Sequence, residues 1–202
     1  MAVCEISKSI KKSCGKINSA GVKSIALATY VSTNVMDKFA TGTEASPSTV
    51  GIDGKINATS LESWLGDDIQ FYEVEVARET ASAQSTVSVG NTPDAKSITH
   101  TVTGFLSGSI LSSAATGGVD IIGDNILPFV LSDVVIAVLY NNGDIKFYGT
   151  TNGLSCTQFD EATGTASTDQ IGYTFNYTGT QGVFPIVGDS ITWDMVMGNF
   201  PD

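Results

Sequence analysis

Apolar and polar residues alternate with a period of two along much of this chain, the pattern of β-strands with one buried face. Ile98, His100, Val102, Gly104 and Leu106 alternate with Thr99, Thr101, Thr103 and Phe105. Ile171, Tyr173, Phe175 and Tyr177 alternate with Gly172, Thr174 and Asn176. Within residues 70–78, Tyr72, Val74 and Val76 take one face, Glu73 and Glu75 the other, and residues 85–89 read as the hairpin partner of this strand. Residues 25–31 are an apolar-rich run and read as a buried strand, and residues 133–140 (DVVIAVLY) read as a core strand. Asn141-Asn142-Gly143-Asp144 supplies the turn chemistry of a tight hairpin, with residues 145–150 returning. Two further strands, 183–187 and 191–197, complete the pattern.

Helical signals are sparse. Asp124 can cap a short apolar helix over 126–131, with Pro128 in its first turn. Residues 60–65 form a weaker helical segment inside a long loop, 37–68, that is rich in Gly, Ser and Thr. Loops of that length are uncommon in compact domains unless they serve binding or remain mobile, and 37–68 is the expected interaction element. The expected fold is therefore mainly β: an antiparallel β-sandwich or barrel with one short helix and a long interaction loop. Residues 1–202 are expected to form one β domain, with 1–23 as a basic arm or first strand.

Composition narrows the chemistry. The 202 residues include 22 Ser, 23 Thr and 21 Gly, a load that disfavours long helices. Net charge is −11, yet only 15% of residues are charged and 42% are hydrophobic, which fits a packed core rather than an acidic tail. Arg78 is the only arginine and His100 the only histidine. An arginine-lined phosphate groove is excluded, and one histidine restricts any catalytic triad to a single base. His100 lies on the apolar side of its strand and reads as a structural histidine with a satisfied nitrogen. Cys4, Cys14 and Cys156 form no C-x-x-C pair and read as ordinary thiols of a reducing compartment, with a Cys4–Cys14 bridge as the alternative. The start is unlike a signal peptide, because Lys8, Lys11, Lys12 and Lys16 interrupt any apolar stretch, and no run reaches membrane-spanning length.

No nucleotide-binding, nucleophile-elbow or zinc-protease motif is present. Glu73 and Glu75 stand ~7 Å apart on one strand face, within the ~5–9 Å that glycosidases use. Aromatic platforms for a sugar are lacking beyond Trp64, and the same alternation marks any half-buried strand. Asp120, Asp124 and Asn125, and separately the 141–144 turn, are the nearest approaches to a calcium site, and neither follows a known loop pattern. The expectation is a protein that is not an enzyme and carries no cofactor or metal.

Charge is distributed unevenly. Residues 1–23 hold Lys8, Lys11, Lys12, Lys16 and Lys23 against Glu5, whereas residues 97–202 hold Lys146 against ten acids. Lys8, Lys11, Lys12 and Lys16, with Asp67 and Asp68 at the end of the long loop, are candidate inter-subunit contacts in a head-to-tail assembly.

From Asp144 onward the chain resembles virion structural proteins of long-tailed phages, closest to their tail tube subunits. The resemblance rests on Gly149-Thr150-Thr151-Asn152-Gly153-Leu154, Thr163-Gly164-Thr165-Ala166, Asp169-Gln170-Ile171-Gly172-Tyr173-Thr174-Phe175, Gly179 and Pro185-Ile186-Val187. It implies a β-sandwich or barrel subunit with one flanking helix, assembled in the host cytoplasm into hexameric, stacked rings through which DNA passes. It also implies other virion proteins as partners and a long loop, by position 37–68, for contacts between rings. A DNA conduit should not bind its cargo, because each Lys–phosphate contact adds salt-dependent affinity. Carboxylates in the lumen repel phosphates, and Glu73, Glu75 and Glu79 are the candidate lining residues. A capsid decoration or head–tail connector protein is the alternative in the same class, and a bacterial surface adhesion sandwich is the alternative outside it.

Overall fold

Residues 134–140 are the most continuously apolar stretch, and they lie at the centre of the larger of two sheets. The computed structural model describes residues 21–36, 54–66, 69–74, 76, 79–89, 96–107, 127–162 and 172–200. Strand β1 (Val22–Thr29) is followed by β2 (Lys55–Ile56), helix α1 (Ala58–Leu65), β3 (Tyr72–Val74), β4 (Ser82–Val89) and β5 (Lys96–Ser107). Then come α2 (Leu127–Leu131), β6 (Val134–Tyr140), β7 (Ile145–Tyr148), β8 (Ser155–Ala162), β9 (Gly172–Gln181), β10 (Ile186–Gly188) and α3 (Trp193–Val196). The larger sheet has the order β2-β10-β7-β6-β1-β3, the smaller β4-β5-β9-β8. All pairs are antiparallel except β10–β2. The result is the expected mainly β sandwich, and it is not a closed barrel, because each sheet keeps two edges.

The larger sheet is covered on both faces, which explains why β1 and β6 read as apolar-rich runs. Towards the smaller sheet it turns Ile25, Leu27, Val134, Ile136, Val138 and Tyr148, which meet Val102, Phe175 and Tyr177. On its other face Ala26, Ala28, Ala137 and Phe147 share a second cluster with Leu61, Trp64, Leu65, Phe71 and Val196. Ala26 and Ala137 are directly opposed across the β1–β6 pair, so small side chains there leave room for the bulky aromatics. Trp64 and Phe147 each flank Phe71, with ring centroids 5.8 and 6.0 Å away. Trp64 Nε1 donates to the Asn34 carbonyl at 2.9 Å, and Asn34 Nδ2 donates to the Trp64 carbonyl at 3.0 Å, which ties α1 to the segment after β1.

Three helices are present among the described residues, rather than one. The 126–131 expectation corresponds to α2, with Pro128 in its first turn. The weaker 60–65 segment is α1, which starts earlier because Asn57 caps it: Asn57 Oδ1 accepts from the Ser60 N–H at 2.9 Å. Asn57→Ala is expected to lower stability by about 1 kcal/mol in urea unfolding, the ordinary loss of an N-cap. The long loop 37–68 therefore contains β2 and α1, and residues 37–53, 67 and 68 lie outside the described ones.

Two further expectations need correction. Residues 191–197 alternate as a strand would, yet 193–196 form α3. The Thr192 hydroxyl accepts from the Met195 N–H and Asp194 sits in the first turn, so local capping outweighs the period-two pattern. Residues 85–89 are not the hairpin partner of 70–78. They belong to β4, which pairs with β5 in the smaller sheet, whereas β3 pairs with β1 in the larger one.

Candidate functional site

Two of the three acids expected along one strand face, Glu73 and Glu79, are among the described residues. Strand β3 ends at Val74, and Glu79 follows in a turn at φ 64. Glu73 is exposed on β3 opposite Ala26, on the helix-covered side of the larger sheet, and its Oε1 accepts from Trp193 Nε1 at 3.1 Å. Glu75, Asp67, Asp68, Lys8, Lys11, Lys12 and Lys16 lie outside the described residues, as do Asp120, Asp124, Asn125, Cys4 and Cys14. Asp144 belongs to the hairpin turn: its carboxylate accepts from Asn142 Nδ2 at 2.7 Å, and its N–H donates to Asn142 Oδ1 at 3.0 Å. Among the described residues no group of three or more His, Cys, Asp or Glu could hold a metal ion. A groove between α1 and α3 is lined by Leu65, Ile69, Phe71, Val196 and Met197, with Glu62 as its one carboxylate among the described residues.

Two features that the sequence reading did not assemble stand out. The first is the smaller sheet. Its inward positions (Ala83, Val102, Tyr173, Phe175, Tyr177) build the sandwich core, and its outward positions are hydroxyl-rich, including Gln84, Thr86, Thr99, Thr101 and Thr178. Ser82 and Thr103 share a hydroxyl hydrogen bond of 2.8 Å across this face, and Thr101 and Thr178 one of 3.3 Å. Asp160 is the one charged outward residue of this face among those with described side chains. Both edges are long, eight residues each in β4 and β8, whereas the larger sheet ends in two- and three-residue strands. Strand β8 carries a bulge between Cys156 and Gln158, with Asp160 and Glu161 beyond it. Strand β4, SAQSTVSV, contains no charge, no proline and no register shift, and Val87 is 45% exposed on it. An edge of that kind is a ready template for another strand.

The second feature is the corner at 149–153, where the chain leaves β7 in the larger sheet and enters β8 in the smaller. Gly149 and Gly153 take φ 76 and 72, and a Cβ on either would press within 3 Å of Leu154 and the Val134 carbonyl or of Tyr30. The three buried polar residues among those described are His100, Thr150 and Gln181. Thr150 is in the corner itself, and the other two bind it. Gln181 Oε1 accepts from the Thr151 and Asn152 N–H groups at 3.1 Å each, and its Nε2 donates to the Gly153 carbonyl at 2.7 Å. Tyr30 donates its hydroxyl to the Thr151 carbonyl at 2.6 Å. His100 Nδ1 accepts from the Gly149 N–H at 3.3 Å, so the neutral ring carries its proton on Nε2. That Nε2 makes no hydrogen bond of ordinary geometry. Burial lowers the His100 pKa to about 4, and the nearby Val183 backbone acts in the opposite direction. His100 is thus the structural histidine expected, with one nitrogen satisfied rather than both.

Cys156 is a free thiol on β8, half-buried, and burial raises its pKa, the opposite of what an activated nucleophile needs. Tyr140 and Tyr148 share a 2.5 Å hydroxyl hydrogen bond, and burial raises the pKa of both phenols. No helix among the described residues is long and apolar enough to cross a membrane. No protein-family model, no curated protein and no solved structure matches the chain.

Proposed function

We propose that the chain is a phage virion structural protein that assembles with copies of itself, of the tail tube kind, in rings that stack around a path for DNA. The observation that carries this reading is the unguarded edge of β4. The four strands of the smaller sheet alternate in direction, so β4 and β8 run opposite ways. Copies placed side by side in the same orientation would therefore meet β4 to β8 in antiparallel register, and every copy offers the same two edges. The resemblance of the 144–187 stretch to tail tube proteins points the same way.

In such a ring the larger sheet and its helices take the outer side, because they occupy one whole face of the smaller sheet. The hydroxyl-rich face then looks inward. Its neutral side chains and Asp160 offer phosphates no cation, as a conduit requires. Under this reading Glu73, bonded to Trp193 on the opposite side, lines the exterior rather than the lumen.

Negative-stain electron microscopy with light scattering tests the reading. Rings or tubes with a central hole are expected, and Val87→Lys on β4 is expected to abolish them while leaving thermal unfolding unchanged within a few degrees. A species that remains monomeric or trimeric at high concentration overturns the tube assignment in favour of a decoration protein. Assembly that ignores Val87→Lys removes β4 from the interface.

A further inference from the structure

We propose that the 149–153 corner is an acid-released latch between the two sheets, opened when His100 takes up a proton. The geometry requires this response. Nδ1 already accepts from the Gly149 N–H, so a proton on Nδ1 turns an acceptor into a donor facing a donor. The resulting imidazolium is fully enclosed, and no carboxylate among the described residues pairs with it. Directly opposite it are Ser85 on β4 and Gly179 on β9. The Tyr148 ring of β7 stands edge-on at 5.3 Å, and Tyr177 occupies the next inward position on β9, with Cys156 opposite it on β8. Burial holds Tyr148 and Tyr177 as neutral phenols and Cys156 as a thiol, so none supplies a negative charge in acid.

The strain falls on the corner because the bond lost is the one at its entrance. Gly149 is the first residue after β7, and the remaining clamps, Gln181 and Tyr30, act further along at 151–153. The larger sheet has its own core on the helix side, away from His100, so the corner can loosen while β1 and β6 stay paired.

The linkage has a definite sign. The folded-state pKa lies below the ordinary histidine value of 6.5, so the closed corner binds fewer protons than the open one. Closure is at full strength above pH 6.5 and weakens as pH falls towards about 4. The opening constant is expected to rise about tenfold per pH unit across that window.

NMR on the full-length protein tests this in two ways. First, the His100 ring should remain the neutral Nε2–H tautomer at about pH 5, well below the ordinary histidine midpoint; a midpoint near 6.5 overturns the proposal without any variant. Second, hydrogen exchange corrected for intrinsic rates should show the Gly149, Thr151 and Asn152 amides opening about tenfold faster per pH unit, with Val135 and Ala137 holding their protection. His100→Gln, which keeps an acceptor, should remove that slope. An unchanged slope in the variant overturns the latch. So does simultaneous loss at the corner and at β6, which would mean global unfolding.

Discussion

Gly172→Ala is expected to destabilise the protein by at least about 3 kcal/mol, beyond the usual range for a single added methyl group. Gly172 opens β9 directly opposite Ser107, the last residue of β5. A Cβ built there falls 1.9 Å from the Leu106 carbonyl oxygen and 2.8 Å from the Phe105 ring. The ring can swing away. The carbonyl belongs to the β5 backbone, so the methyl group fits only if β5 and β9 part at that end and give up ladder hydrogen bonds. For a chain of this length the loss corresponds to a fall in melting temperature of roughly 10 °C. Gly182→Ala is the control: its added Cβ meets nothing nearer than Thr151 Cγ2 at 3.8 Å, and it is expected to be neutral or slightly stabilising. Urea unfolding of both variants with unchanged m-values checks the pair. A Gly172→Ala protein as stable as the parent would mean that the two strands do not approach as described.

Gln181→Leu is expected to cost about 3–5 kcal/mol despite its similar size. The side chain is 3% exposed and satisfies two N–H groups and one carbonyl of the corner at once. Leucine leaves those three backbone groups without partners in a site that water reaches poorly, at about 1–3 kcal/mol for each that stays dry. Asn152→Ala removes only an exposed donor to the Thr180 carbonyl and should cost under about 1 kcal/mol. Near-equal losses from the two changes in equilibrium unfolding would show that water replaces Gln181, and that the corner is wetter than its burial implies.

The sequence carries the strands of the sandwich legibly where one face meets the core, as in β5 and β9, or where both do, as in β6. It carries β8 poorly. SCTQFDEA is polar, its inward Cys156 and Phe159 are separated by a bulge, and the alternation breaks at that bulge. Helix α3 is disguised because Ile191, Trp193, Met195 and Met197 alternate, and only Thr192 as a cap argues otherwise. The corner was half visible. Its two glycines are plain in Gly149-Thr150-Thr151-Asn152-Gly153, and His100 reads as structural. Gln181 and Tyr30 give no local sign of their role, because each meets the corner from a distant part of the chain. Edge strands are likewise a property of sheet order, and no window of sequence shows that β4 ends the order of the smaller sheet.

The hydroxyl-rich face of the smaller sheet has a consequence for how the molecule can vary. Its outward side chains contribute little to either core, and substitutions at such positions usually change stability by under about 0.5 kcal/mol. What the protein presents on that face is thus nearly independent of what keeps it folded. Lineages or engineers can rewrite Gln84, Thr86 and Thr99 as text on a fixed page, whereas Gly172, Gln181 and the packed face of β6 belong to the binding.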